Sequence, residues 1–277
     1  MTRQFTPNAY KALCAQSSKM AIKTQRGKEV YDGWYVKDNF YDPKSNFRGV
    51  LYEKDGQYAI AFAGTDKKSL KDWGANAKMV FTGKSRQIQQ AKKFADNMKN
   101  TYNLTPENTV SIGHSEGGNE ATHVGIENKL PTFTFNAFGV RKSDYPDNYD
   151  DLVTNYRDPH DPVSKLKRNV GETFITPNIQ NWMHSHTPFG SIQAHGIDNM
   201  GDTEESVPVK EFKKKNPIFL DAISDAEITR EDIGRMDPKL FSLYENEIDE
   251  RLSNNQIFAD TEIDERLKKN GHDSRAW

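Results

Sequence analysis

The stretch Ser111-Ile112-Gly113-His114-Ser115-Glu116-Gly117-Gly118 leaves this chain the fewest ways to fold. Residues 108–112 read as a short strand bounded by turn residues, and residues 87–102 before it carry the periodicity of a helix. The glycines flanking Ser115 suit a backbone that turns so tightly that a Cβ would strike the adjoining strand and helix. Helix, strand, sharp turn and helix, in that order, predict a nucleophile elbow with Ser115 at its apex. The next backbone N–H, that of Glu116, then stands at a helix N-terminus, where an oxyanion can be bound. Gly-x-Ser-x-Gly alone arises by chance in about one chain in ten of this length, so its weight comes from the elements around it.

Upstream, residues 7–22 have a ragged helical pattern, with Tyr10, Leu13, Cys14, Met20 and Ala21 apolar. Three strand-like runs follow at residues 34–41, 47–53 and 57–63, the last two joined by Lys54-Asp55-Gly56, whose Asp-Gly pair favours a two-residue hairpin. The third run is almost continuously apolar and suits a central strand buried on both faces. It leads directly into Gly64-Thr65-Asp66. A small hydroxyl residue at such a strand end can offer a backbone N–H and a side-chain O–H to an oxyanion, so Thr65 joins Glu116 as a candidate; an ordinary turn capped by Asp66 is the plainer alternative.

Composition narrows the class. A chain of 277 residues can bury one large core plus a small appendage, and a formal net charge of -2 gives no electrostatic footprint for nucleic acid. Cys14 is the only cysteine, which excludes an internal disulfide; on a helix it reads as a small buried hydrophobe. Residues 1–23 lack the apolar segment and cleavage site of a signal peptide, and there is no spanning run of about 18 apolar residues. A cytoplasmic location, or export by a leaderless route, is the expectation.

From about residue 5 to residue 205 the chain resembles the class 3, or fungal-type, lipases and phospholipases of the α/β-hydrolase group. Phe62-Ala63-Gly64-Thr65 with Asp72-Trp73 is similar to that family's oxyanion strand, and Gly113 to Gly118 is similar to its elbow except at Glu116. Residues 133–140 resemble the next core strand and residues 153–163 the strand bearing the acid. The resemblance implies an α/β fold, a sheet flanked by helices, and a Ser-His-Asp triad with neither metal nor organic cofactor.

It also implies the triad's members. The family's acid lies in an Asp-Pro-Val, found here as Asp161-Pro162-Val163; Asp158-Pro159 is a competitor that lacks the following Val. For the base, the chain order of serine, acid, histidine removes His160 and leaves His184, His186 and His195. His195-Gly196-Ile197-Asp198-Asn199 resembles the family's late histidine segment and is preferred. His184 and His186 have the spacing of a metal pair, yet without carboxylate or cysteine support they read as a polar loop.

Departures qualify the substrate. Glu116 puts a carboxylate beside the oxyanion site, Ala63 replaces the family's Arg, and the elbow helix carries Asn119, Glu120, Thr122, His123 and Glu127. Residues 67–86 alternate apolar side chains with lysines and read either as an amphipathic lid or as a surface helix that simply packs.

Composition changes after residue 210. Residues 211–277 hold sixteen acidic and eleven basic side chains, a net of -5, which leaves +3 on residues 1–210. Residues 212–217 read as a linker, and Glu247-Ile248-Asp249-Glu250-Arg251-Leu252 recurs identically from Glu262 to Leu267. The expected organisation is a catalytic domain over 1–210 and an acidic helical appendage over 211–277, the latter either a docking surface for a partner protein or a helical hairpin packed on the core.

The expected function is a serine esterase using Ser115, His195 and Asp161 on a lipid acyl ester, with transient contact to a membrane surface. The alternatives are an esterase for a polar or polysaccharide-linked acyl group, and a non-catalytic scaffold on a hydrolase frame.

Overall fold

A computed structural model of the protein describes residues 5–22, 25–64, 85–140, 144–145, 147, 149–161, 163–165, 169–176, 178, 194–215, 228–229 and 257–258. The chain divides into two compact units, Met1–Pro208 and Val209–Trp277.

In the first unit, helix α1 (Pro7–Ile22) begins with Pro at its first position, where the missing N–H costs nothing, after Thr6, whose Oγ1 accepts the Ala9 N–H at 3.4 Å. Its buried residues Ala9, Tyr10, Leu13, Cys14, Ser17, Met20 and Ala21 fall on one face. Strands β1 (Glu29–Tyr31), β2 (Trp34–Asp42), β3 (Phe47–Lys54) and β4 (Gln57–Phe62) form an antiparallel meander. The turn between β3 and β4 has Asp55 at φ 51 and Gly56 at φ 74, the left-handed pair that a two-residue hairpin needs. The first hairpin uses the same dipeptide, Asp32 at φ 40 and Gly33 at φ 74; β1 is a strand absent from the sequence expectation, although Asp32-Gly33 announces its turn.

From β4 onward the pairing becomes parallel. Strands β5 (Thr109–His114), β6 (Thr132–Phe135), β7 (Val153–Arg157) and β8 (Glu172–Ile175) follow in spatial and sequence order, and β9 (Val207–Pro208) closes the edge antiparallel. Helix α2 (Ser85–Tyr102) precedes β5 and helix α3 (Glu116–Asn128) follows it. The two faces of the sheet have separate cores. Ala59 and Ala61 of β4 point with Val50, Tyr52 and Ile112 toward Leu13 and Met20 of α1. Ile60 and Phe62 point the other way with Phe47 and Leu51, toward Phe94 of α2 and Val124 of α3. This two-sided burial accounts for the apolar run at residues 57–63 and makes the unit a mixed α/β sheet flanked by helices.

Two expected strands are shorter than their apolar character predicts. The run from 133 ends as β6 at Phe135 because Asn136 takes a left-handed conformation, φ 45. The run from 153 ends as β7 at Arg157, where Asp158-Pro159 begins a turn.

In the second unit, helix α4 (Val209–Lys215) covers the first part of the linker expected at residues 212–217, as good helix formers such as Glu and Lys allow. The unit also contains a parallel pair, β10 (Ile228–Thr229) and β11 (Ile257–Phe258). Both copies of the duplicated hexapeptide lie outside the described residues.

Candidate active site

Strand β5 delivers Ser115 to the elbow in a conformation that few residues other than glycine adopt, φ 59 and ψ -125. The turn is close because its neighbours have no side chains. A Cβ on Gly113 would lie 2.0 Å from the carbonyl oxygen of Gly117, and one on Gly117 would lie 2.1 Å from that of Phe62. Glycine at both positions lets the start of α3 rest on the ends of β4 and β5. The end of β4 also abuts the nucleophile, since a Cβ on Gly64 would come within 2.9 Å of the Ser115 Cβ. Hydrogen bonds lock the apex: Ser115 N–H donates to Phe135 O, and Ser115 O accepts from the N–H groups of Gly118 and Phe138, all at 3.1 Å.

The loops after β7 and β8 bring in the other two groups. His195 Nε2 lies 2.7 Å from Ser115 Oγ, and His195 Nδ1 lies 3.0 Å from Asp161 Oδ1. All three side chains are buried, Ser115 and Asp161 completely and His195 to within 2%. A carboxylate accepts only, so the His195 proton resides on Nδ1 and Nε2 is left to accept the serine hydroxyl. Burial pushes the Asp161 carboxyl up, but the His195 ring, the Val163 N–H at 2.9 Å and Ser164 outweigh it and hold the group below its usual range. Asp161 therefore stays ionised.

The competing Asp158 has a different partner. Its Oδ1 accepts the His160 N–H at 2.8 Å and lies 3.2 Å from His160 Nδ1, so the two Asp-Pro turns each hold one histidine. Glu116 opens α3 and is half-buried. Thr65, His184 and His186 lie outside the described residues, as do residues 67–84 of the amphipathic stretch; Ser85 and Arg86 begin α2. Among the described residues, no cluster of three or more His, Cys, Asp or Glu is arranged to hold a metal.

Three further residues stand around the site, of which the sequence singles out only Glu120, as a polar residue of the elbow helix. The His114 ring packs 5.0 Å from that of His195, and burial together with His195 pushes its pKa down to about 3. Its Nε2–H faces the carbonyl of His195 at 2.7 Å. Asn136 is wholly buried behind the triad, and its amide reaches the loops of both Asp161 and His195. Glu120, one turn into α3, is 2% exposed, and its Oε2 has no hydrogen-bond partner. Burial and the neighbouring Glu116 push its carboxyl well above the usual range.

Residues 3–209 match the phospholipase-like family described as the Tle-like phospholipase domain. The chain belongs to this family. It is also similar to the extracellular phospholipase A1 of Serratia liquefaciens, 27% identical over an alignment of 188 residues that covers 58% of this chain and 57% of that protein. The chain thus spans somewhat more than half the length of the curated relative it matches. Solved structures with a similar fold include the native propeptide complex of Rhizomucor miehei lipase, at 16% identity and a TM-score of 0.49, covering 71% of this chain and 81% of that one. The lipase of Rhizopus microsporus var. chinensis is similar at 16% identity and a TM-score of 0.44, covering 61% and 72%. The family match ends within one residue of the boundary between the two compact units.

Proposed function

We propose that the protein is a serine esterase that hydrolyses an acyl ester of a lipid, of the phospholipase A or lipase type. The observation that carries this reading is the unbroken line Asp161 Oδ1, His195 Nδ1, His195 Nε2, Ser115 Oγ, at 3.0 and 2.7 Å within a buried site. Family membership and the phospholipase A1 relative support a lipid substrate.

In this mechanism Ser115 Oγ attacks the ester carbonyl while His195 Nε2 takes its proton. Asp161, held ionised, balances the imidazolium that forms. Negative charge moves to the carbonyl oxygen, where the Glu116 amide at the start of α3 and the Thr65 amide and hydroxyl donate to it, a class of contact worth about 3 kcal/mol per donor. The tetrahedral intermediate collapses as His195 returns the proton to the departing alcohol. Water then attacks the acyl-serine, with His195 as base, and releases the carboxylic acid and the free Ser115. His114 suits its place here: neutral down to about pH 3, it adds no second positive charge beside the imidazolium.

The buried polar residues of α3, Glu120 and His123, favour a second reading in which the acyl chain is short or polar. We further infer a transient encounter with a membrane surface, a docking role for residues 211–277, and action after export, the last supported by the name of the Serratia relative.

Turnover of phosphatidylcholine vesicles and of short- and long-chain p-nitrophenyl esters tests the reading, with Ser115→Ala as control. Activity that vanishes with Ser115→Ala is expected, and chain-length preference separates the lipid from the polar substrate. Folded wild-type protein with no turnover and no labelling of Ser115 by a fluorophosphonate would refute the esterase reading.

A further inference from the structure

The side chain of Asn136 makes three hydrogen bonds, all to the backbone of the two loops that carry the acid and the base. Its Oδ1 accepts the Asp158 N–H at 2.8 Å, and its Nδ2 donates to the carbonyls of Ala194 at 2.9 Å and His195 at 3.3 Å. An N–H can only donate and a carbonyl can only accept, so these partners fix the orientation of the amide. One end of this tether is three residues before Asp161, and the other is the backbone of His195 itself. The same His195 carbonyl also accepts from His114 Nε2–H at 2.7 Å. The anchor is firm, because β6 is paired on one side with β5, which leads to Ser115, and on the other with β7, which leads to Asp161.

We propose that Asn136, assisted by His114, is a positioning residue that holds the acid loop and the base loop at the separation at which His195 spans Asp161 and Ser115. This rests on the triad reading above. Asn136 touches none of the reacting atoms; it acts through the backbone that carries His195. A buried asparagine whose role was only to satisfy backbone groups would influence stability and leave the chemistry unchanged. Misplacing His195 relative to either partner instead slows every step that moves the serine proton.

Two substitutions separate these possibilities. Asn136→Gly keeps the φ 45 conformation without strain and removes all three bonds. Asn136→Asp retains an acceptor for the Asp158 N–H but sets an acceptor against two carbonyls. The measurements are kcat and KM on a p-nitrophenyl ester and the rate of fluorophosphonate labelling of Ser115, well below each variant's melting midpoint. We expect kcat and labelling rate to fall together by about 10- to 100-fold, with KM within about twofold of wild type. The downfield proton resonance expected of the His195 Nδ1–H bonded to Asp161 in the wild type should shift or disappear in the variants. His114→Phe, which removes a donor to the His195 carbonyl, should give a smaller fall of the same kind, and it decides the matter if neither Asn136 variant folds. Folded variants with wild-type kcat and labelling rate, or with a lowered melting midpoint alone, would overturn the proposal. Failure of the triad reading looks different: wild-type protein that is never labelled, or Ser115→Ala that keeps its turnover.

Discussion

Ser115 is an ordinary hydroxyl until the elbow strains its backbone and His195 accepts its proton, and the acid behind His195 is tuned by what surrounds it. Asp161 is kept ionised by His195, Val163 and Ser164 against the cost of burial. Asp161→Asn should leave the geometry nearly intact while favouring the wrong histidine tautomer, so kcat should fall by about 10³–10⁴-fold in steady-state assays. Glu120 presents the opposite case, a buried carboxyl that burial and Glu116 push well above the usual carboxyl range. The unfolded chain releases this proton near the ordinary carboxyl value, so above that value the folded state binds more protons and loses stability as pH rises. Glu120→Gln removes the loss. The variant should match wild type near pH 4 and be the more stable of the two near pH 8. Chemical denaturation at both pH values checks this, and equal stabilities at pH 8 would refute it. His114 works in the other direction: its folded value of about 3 lies below the ordinary 6.5, so the unfolded chain binds more protons between them and stability is lost as pH falls through that window.

At the scale of elements, the contact between β5, its turn and α3 depends on atoms that are missing. Gly117→Ala would drive a Cβ to 2.1 Å from the Phe62 carbonyl, a backbone atom that cannot yield without moving β4. The expected result is a loss of about 3 kcal/mol or more, or failure to fold, seen as a lowered melting midpoint. Gly56→Ala is the informative contrast. Its Cβ would meet nothing within 4 Å, so the cost is that of φ 74 alone, about 1 kcal/mol. These elements were largely legible in the chain, because α1 and α2 carry a helical period, β2 alternates, and β3 and β4 are apolar runs bounded by turn residues. The end of β6 was not legible. Phe133 to Val140 is nearly continuous in apolar and small residues, and only the tertiary partners of Asn136 make a left-handed turn the better state there. For β1, three residues are too few to show alternation, and pairing with β2 stabilises what periodicity does not reveal.

At the scale of the molecule, the match to the family and the first compact unit cover nearly the same residues, and Ser115, Asp161 and His195 all lie within them. A protein ending at Pro208 should therefore keep kcat and KM on a soluble p-nitrophenyl ester within about threefold of the full chain, if residues 209–277 serve docking rather than chemistry. Loss of turnover in a folded truncated protein would assign the second unit a part in the reaction.

By itself the sequence determined the local and the covalently adjacent: where the chain alternates, where it turns, and that a serine stands between glycines at a strand end. It also narrowed the acid and the base to a few candidates, since chain order limits them. Which candidates meet was decided in three dimensions. Asp158 and Asp161 offer the same dipeptide, and the packing of the loops after β7 and β8 sets His160 against one and His195 against the other. The roles of His114, Asn136 and Glu120 belong to the same category. A hydrogen bond between residues about 60 apart, or the desolvation of a carboxyl, is a property of the surroundings that folding assembles, and no residue carries it alone.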